Sequence, residues 1–151
     1  DIRDYKANSA ENITDVPMVI LMNEGSASAS EIVAGALSVL NRAQIVGEQS
    51  FGKGSVQTIF PLEDEAGLRL TTAMYFLPDG STIHEEGIEP EYRVECSDEN
   101  ETKLRIQRYS QEIMDEVTFE KQFGFVPIID DQLTKAEEIL MNQSRANSTS
   151  N

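Results

Sequence analysis

The sequence has little of three things on which many functional sites depend: cysteine, histidine and positive charge. Its single cysteine, Cys96, cannot form a disulfide within the chain or share a metal with a second thiol, so we expect it to be an ordinary residue. Twelve basic residues against 27 acidic ones give a formal net charge of −15. This balance excludes the basic patches that bind nucleic acids.

Long hydrophobic runs are missing as well. No stretch of about 18 apolar residues occurs, and no basic-then-apolar leader is visible, so we expect neither a membrane-spanning helix nor a targeting segment. The chain opens on Asp1 instead of methionine, which is expected of an internal piece of a longer protein. A hydrophobic content of 39% in 151 residues is enough for one domain with a core.

Composition and hydrophobic pattern divide the chain into four parts. We expect a connecting segment at residues 1–15, an α/β core at 16–96, an acidic helical extension at 97–141 and a frayed tail at 142–151. No internal repeat is visible.

Apolar spacing predicts the elements of these parts. Residues 16–22 form a continuous apolar run that is typical of a strand covered on both faces. From Ser28 to Leu40, apolar residues recur every three or four positions, which predicts a helix lying on a sheet. The rest of the pattern predicts, in chain order, strands at 44–47, 55–60 and 68–76, a turn at 78–80, a turn into a strand within 87–94, a charged helix from 97 to 117 and a short helix around 133–140.

Three serines, Ser26, Ser28 and Ser30, follow the first predicted strand at the turn into the helix. On a helix, Ser26 and Ser30 share a face and Ser28 points roughly the other way. Ser28 and Glu31 also have the spacing of a capping box, which is a purely structural role. A strand-to-helix turn leaves backbone amides free, so one serine is alternatively a nucleophile, with the amide of Ala29 as an oxyanion donor.

A serine that attacks a carbonyl needs a base within hydrogen-bond reach. The single histidine, His84, lies far along the chain before a turn, and we do not expect it to be catalytic. A desolvated lysine is another base, because burial lowers its pKa from about 10.4 toward 7. Lys53, between Gly52 and Gly54, is either such a base or a solvated loop residue. Gln57 is either its orienting partner or an edge polar residue.

The loop that contains Lys53 is a near match to a phosphate-binding loop. Residues 47–53 fit that pattern, but Gly54 stands where serine or threonine must hold magnesium. The following residues alternate as in a strand, whereas a phosphate-binding loop opens a helix. We therefore expect no bound nucleotide.

Taken together, these segments resemble the C-terminal processing peptidases, also called tail-specific proteases. The resemblance covers about residues 16–94 and touches 131–140. It rests on these segments: Val19-Ile20-Leu21-Met22-Asn23, Gly25-Ser26-Ala27-Ser28-Ala29-Ser30-Glu31-Ile32, Arg42-Ala43, Gly47-Glu48, Phe51-Gly52-Lys53-Gly54-Ser55-Val56-Gln57, Leu70-Thr71-Thr72-Ala73 with Tyr75, Pro78-Asp79-Gly80, Gly87-Ile88-Glu89-Pro90 and Asp131-Gln132-Leu133-Thr134-Lys135-Ala136.

By motif position, the resemblance places the nucleophile of that family on Ser28, its general base on Lys53 and its lysine-supporting glutamine on Gln57. It implies a serine endopeptidase that cleaves unfolded or C-terminally exposed proteins through an acyl-enzyme, without a cofactor or metal. The implied core is an α/β sandwich resembling crotonases and Clp proteases, and the implied location is extracytoplasmic, in the bacterial periplasm or envelope or in the thylakoid lumen. Some members add an aspartate to the site, but the aligned residue here is Val39.

Three parts of the family pattern are missing from the sequence: an N-terminal helical part, a PDZ domain that receives the substrate tail, and a Leu-Arg-x-Asn-x-Gly-Gly stretch that contributes an oxyanion amide. We therefore expect a PDZ domain in the parent protein and no activity from these residues alone. A binding or scaffold module and an acyl-transfer enzyme acting on small substrates are the other classes left open. The sequence does not fix the oligomeric state, and a homo-oligomer is compatible with it.

Overall fold

The computed structural model describes residues 8, 10, 13–110 and 114–148, and predictions for the remaining residues lie outside it. These include most of the expected connecting segment and the end of the tail. Within the described ranges the elements are, in chain order, β1 (Val19–Met22), α1 (Ala29–Val39), β2 (Gln44–Gly47), β3 (Ser55–Pro61), β4 (Gly67–Met74), β5 (Tyr92–Arg93), α2 (Asp98–Ser110), α3 (Glu116–Phe123) and α4 (Asp131–Ser148).

A parallel sheet with the strand order β1-β2-β5 forms the middle layer. The β1–β2 register runs from Val19 opposite Gln44 to Met22 opposite Gly47, and α1 supplies the crossover that parallel neighbours need. Successive side chains of a strand point to opposite faces, so the adjacent residues Ile45 and Val46 of β2 belong to two different cores.

Helices cover both faces of this sheet. The core on the α1 side consists of Met22, Ala34, Ile45, Ile83 and Ile88. The core on the α4 side consists of Val46, Ala136 and Ile139. Because both faces of the sheet are covered, the two middle residues of the central strand β2 are both apolar. The helices and the parallel sheet confirm the predicted α/β class.

The strand predicted at 16–22 is shorter in the structure, and the turn and strand predicted within 87–94 contain a strand of only two residues. β1 begins at Val19, after Pro17, and β5 begins at Tyr92, after Pro90. A proline has no backbone N–H to donate to a neighbouring strand, so each proline delays the start of pairing.

Strands β3 and β4 form a separate antiparallel hairpin. Its register begins with Ser55 opposite Met74 and is interrupted between Val56 and Gln57. Every side chain of β4 is exposed. Since β3 begins at Ser55, Lys53 lies in the loop before the hairpin and not in its first residue pair.

The predicted charged helix beyond Ser97 is two helices. α2 ends at Ser110, and α3 begins after Asp115, whose carboxylate accepts a hydrogen bond from the N–H of Thr118 at 3.0 Å. This capping contact starts a new helix at a point where apolar spacing alone predicts that the first helix continues. Phe119 anchors α3: it is 1% exposed and packs against two further phenylalanine rings.

The last helix is longer than the pattern predicts. α4 continues to Ser148, through residues that the sequence suggests would fray. Its buried side chains, Ala136 and Ile139, pack against β2, and the Gln143 amide donates to the Gln44 side-chain oxygen at 2.8 Å. Part of the helical extension thus completes the core. No helix in the described ranges is long and apolar enough to cross a bilayer.

Gly47 should tolerate no side chain. Its φ is +129°, and a Cβ atom would clash with the backbone carbonyl oxygen of Met22. We expect Gly47→Ala to lower the free energy of unfolding by at least about 2 kcal/mol in urea denaturation. The control is Gly67→Ala, where the nearest atom, on Ile59, is 3.4 Å away. Equal effects of the two substitutions would contradict this close packing of β1 on β2.

Candidate active site

The turn between β1 and α1 holds Ser28 in a strained conformation. Ser28 is the N-cap of α1, and its backbone has φ 59° and ψ −115°. A non-glycine residue in such a region costs of order 1–3 kcal/mol, and it persists only where surrounding contacts impose it. In hydrolases with a nucleophile elbow, the serine occupies a strained strand-to-helix turn of this kind.

The other two serines have different surroundings. The hydroxyl oxygen of Ser26 accepts the Asn23 N–H at 3.2 Å, so it is part of the turn itself. Ser30 is exposed in the first turn of α1. Sequence spacing left three serines open, and the backbone conformation distinguishes Ser28 from the other two.

The carboxylate of Glu31 is the centre of the site. It is completely buried, at 0% exposure, and it accepts four hydrogen bonds. Its Oε2 binds the N–H of Ser28 and the N–H of Lys53, each at 2.8 Å. Its Oε1 binds the Ser50 hydroxyl and the Gly52 N–H, each at 2.6 Å. The backbone nitrogens of Ser28 and Lys53 are therefore no more than twice 2.8 Å apart.

These contacts keep Glu31 ionised. Burial opposes ionisation, but the Ser50 hydroxyl and the three backbone N–H groups outweigh it and hold the pKa of Glu31 below its ordinary value of 4.5. Hydrogen bonds to a charged acceptor are stronger than neutral ones. The carboxylate therefore fixes the serine turn and the lysine loop to each other.

Two glycines let the lysine loop pack closely on residues 83–87. The Gly52 carbonyl accepts the Glu85 N–H at 2.8 Å, and a Cβ on Gly54 would lie 2.7 Å from the His84 nitrogen. The sequence predicts this close approach. The sequence leaves open whether the amine is desolvated or solvated, and in the structure Lys53 is exposed. Gly52 and Gly54 are buried, whereas Lys53 between them is exposed.

The structure thus brings together the backbones of Ser28 and Lys53. Within the described part of the chain, no hydrogen bond joins the serine hydroxyl to the lysine amine. Gln57 lies on β3 with an exposed side chain, and Ala29 is the first residue of α1.

His84 is nearer to the lysine loop than its place in the sequence suggests, since its backbone lies against Gly54. Its Nδ1 is buried without a hydrogen-bond partner among the described residues. In the same residues, no group of three or more His, Cys, Asp or Glu side chains is arranged to hold a metal ion.

Sequence reasoning missed the wider role of Glu31 and Ser50. The capping-box spacing does identify Glu31, whose carboxylate accepts the Ser28 N–H at 2.8 Å as in a capping box. What the spacing does not show is that the same carboxylate also reaches Ser50, Gly52 and Lys53. The sequence signal that could have indicated this role is an acidic residue one helical turn after a candidate nucleophile.

Glu31→Gln should destabilise the protein strongly. The amide keeps one acceptor oxygen but places an NH₂ donor against two of the four donors that now bind the carboxylate. We expect the free energy of unfolding to fall by about 3 kcal/mol. Thermal and urea denaturation would measure the change against Glu24→Gln, an exposed acid in the same turn. A similar stability of the two variants would contradict the central role of the carboxylate.

The stabilisation by Glu31 should depend on acid pH. Its pKa in the folded state lies below the ordinary 4.5, so the contribution is complete above that pH and is lost as pH falls through the folded pKa. We expect unfolding free energies measured from about pH 6 to about pH 3 to fall less steeply for Glu31→Gln than for the wild type. Parallel curves would show that this carboxylate does not carry the acid dependence.

Comparison with known proteins confirms the predicted resemblance. The sequence pattern described as Peptidase family S41 matches residues 1–94. The carboxy-terminal-processing protease of Bartonella bacilliformis is 53% identical over 95 residues, which are 63% of this chain and 22% of that protein. Carboxyl-terminal-processing peptidase 3, chloroplastic, of Arabidopsis thaliana is 39% identical over 138 residues, which are 91% of this chain and 24% of that protein.

A solved structure gives the same result for the fold. The photosystem II D1 C-terminal processing protease matches with a TM-score of 0.50 and 44% identity, over 52% of this chain and 20% of that one. This chain therefore spans less than a quarter of the length of these three proteins. The family pattern covers well over half of the chain and contains the serine turn, Glu31 and the lysine loop, and the chain therefore belongs to peptidase family S41.

Proposed function

We propose that this chain contributes Ser28 and Lys53 to the active site of a serine endopeptidase that cleaves proteins at or near their C-termini. One observation supports this most directly: a single oxygen of Glu31 binds the backbone N–H groups of both residues, each at 2.8 Å. Membership of a peptidase family and the similarity to named carboxy-terminal-processing proteases support the reaction type.

In the proposed reaction the Ser28 hydroxyl attacks the peptide carbonyl, and the neutral amine of Lys53 takes up the hydroxyl proton. Lys53 then gives that proton to the leaving amine, and an acyl-enzyme remains. Water, deprotonated by the same lysine, hydrolyses the ester and regenerates the serine. The amide oxygen of Gln57 accepts a hydrogen bond from the lysine amine and orients it.

The start of α1 supplies part of the oxyanion site in this proposal. Ala29 is the first residue of the helix, and the first N–H groups of a helix have no acceptor within it. The positive end of the helix dipole adds to the stabilisation of a negative oxygen placed there. The strained backbone of Ser28 supports the same assignment, because such strain concentrates at functional turns.

We also propose that the complete site needs parts of the protein outside this chain. A lysine acts as a general base only when desolvation or a neighbouring charge keeps it neutral, and the Lys53 side chain is exposed here. The relatives are four to five times longer than the stretches that match. A PDZ domain that receives unfolded or C-terminally exposed substrates and a second oxyanion donor belong to this proposal, as does an extracytoplasmic location. We expect the 151 residues alone to be inactive.

The exposure of Lys53 favours one alternative, a non-catalytic binding module of the same fold in which Ser28 only caps α1. The two proposals differ in whether the side chain of residue 53 must be a titratable amine, and substitution at that position separates them.

In the complete protein, we expect Ser28→Ala, Lys53→Ala and Lys53→Arg each to reduce cleavage of an unfolded protein by at least about 100-fold. The arginine variant retains positive charge but cannot be deprotonated, so it tests the base directly. Ser30→Ala is the matched control and should retain activity, because Ser30 is exposed on α1.

Retained cleavage by Lys53→Ala would refute the proposed dyad and favour the binding module. Cleavage by the 151-residue chain alone, if lost in Ser28→Ala, would refute the need for further segments. Melting temperatures of all variants, measured in parallel, show whether a loss of activity reflects unfolding.

A further inference from the structure

A hydrogen bond links the helical extension to the serine turn. The family pattern ends at residue 94, and α2 begins at Asp98, so this helix lies outside the matched stretch. Glu101, in the first turn of α2, accepts a hydrogen bond from Nδ2 of Asn23 at 2.9 Å. The two residues are 78 positions apart in the chain. Neither the sequence pattern nor the family match assigns this contact a role.

Asn23 organises the turn that leads to Ser28. Its side-chain oxygen accepts the Gly25 N–H at 3.1 Å, and its backbone carbonyl accepts the Ser26 N–H at 2.9 Å. A backbone N–H needs an acceptor and an ionised carboxylate has nothing to donate. These two partners therefore fix which end of the Asn23 amide faces the turn and which faces Glu101.

The same turn contacts the lysine loop. The carbonyl oxygen of Ser26 accepts the Phe51 N–H at 3.0 Å. Phe51 immediately precedes Gly52 and Lys53, whose N–H groups bind Glu31. A displacement of the turn would therefore change the relative placement of the serine and the lysine.

α2 is itself held in place, so Glu101 is presented from a fixed helix. Gln107 forms two hydrogen bonds with the backbone of Ile128, one accepted at 2.8 Å and one donated at 3.1 Å. Arg108 forms an ion pair with Asp130 at 2.6 Å, next to the start of α4. Since α4 packs on the sheet, α2 is connected to the core that carries β1.

We propose that Glu101 is a positioning residue of the peptidase site, which acts through Asn23 to align the serine turn with the lysine loop. The catalytic part of this inference rests on the proposed function. Glu101 acts here as a hydrogen-bond acceptor, and its charge is not required. Glutamine at position 101 offers an acceptor oxygen to Asn23, whereas alanine offers none.

The first test is steady-state cleavage of an unfolded protein by the complete protein. We expect Glu101→Ala to lower kcat about five- to tenfold with KM unchanged, and Glu101→Gln to stay within about twofold of wild type. Asp98→Ala removes a negative charge from the same helical turn and should have no effect. Loss of activity in Glu101→Gln equal to that in Glu101→Ala, or an unchanged kcat in Glu101→Ala, would overturn the proposal.

A double-mutant cycle tests the route through Asn23. If Glu101 acts only through that residue, Asn23→Ala combined with Glu101→Ala should be no slower than Asn23→Ala alone. Additive losses would show that Glu101 affects the site by another route and would overturn the proposal.

A second measurement does not depend on activity. In the complete protein, we expect backbone amide exchange at Gly25 and Ser26 to speed up several-fold in Glu101→Ala, but not in Glu101→Gln or Asp98→Ala. Unchanged exchange in Glu101→Ala would overturn the proposal. If the wild type showed no Ser28-dependent cleavage, the proposed function would fail, and exchange would still support or overturn the structural link.

Discussion

The site depends on a charged group that has no contact with water. An isolated carboxylate in the protein interior is very unfavourable, and Glu31 is tolerated only because four donors replace its hydration. Three of those donors are backbone N–H groups. The need to hydrogen-bond the buried carboxylate therefore constrains the backbone conformation as well as the side chains. The unusual backbone of Ser28 and the tight loop around Lys53 both satisfy the same acceptor.

The sheet explains why the two segments meet. β1 and β2 are parallel neighbours, so their carboxyl ends lie at one edge, and the serine turn and the lysine loop are the connections that leave that edge. Crevices outside the carboxyl ends of parallel strands are the usual binding places in open α/β sheets. α1 places Glu31 between the two connections, one turn after Ser28. The extension contributes by covering the second face of the sheet with α4 and by reaching the edge through Glu101.

Local signals predicted much of this arrangement. Apolar periodicity located α1, β2 and the hairpin, and the spacing of Ser28 and Glu31 indicated the capping box. Contacts between distant segments were not visible: the bonds from Glu31 to the lysine loop span about 20 residues, and no local pattern encodes them. The split between α2 and α3 and the length of α4 were missed for a similar reason. The Asp115 cap sets the start of α3, and packing against β2 stabilises the longer α4. Apolar spacing predicts neither contact.

The backbone conformation of Ser28 is unfavourable for a serine and has a consequence for stability. At φ 59° and ψ −115°, glycine would relieve the strain, since it lacks the Cβ that makes this region unfavourable. A sequence optimised only for thermodynamic stability would therefore carry glycine at position 28. In the proposed function, serine at this position gives up part of the folding free energy to hold the attacking hydroxyl at the end of the sheet, a trade-off between stability and activity at one position.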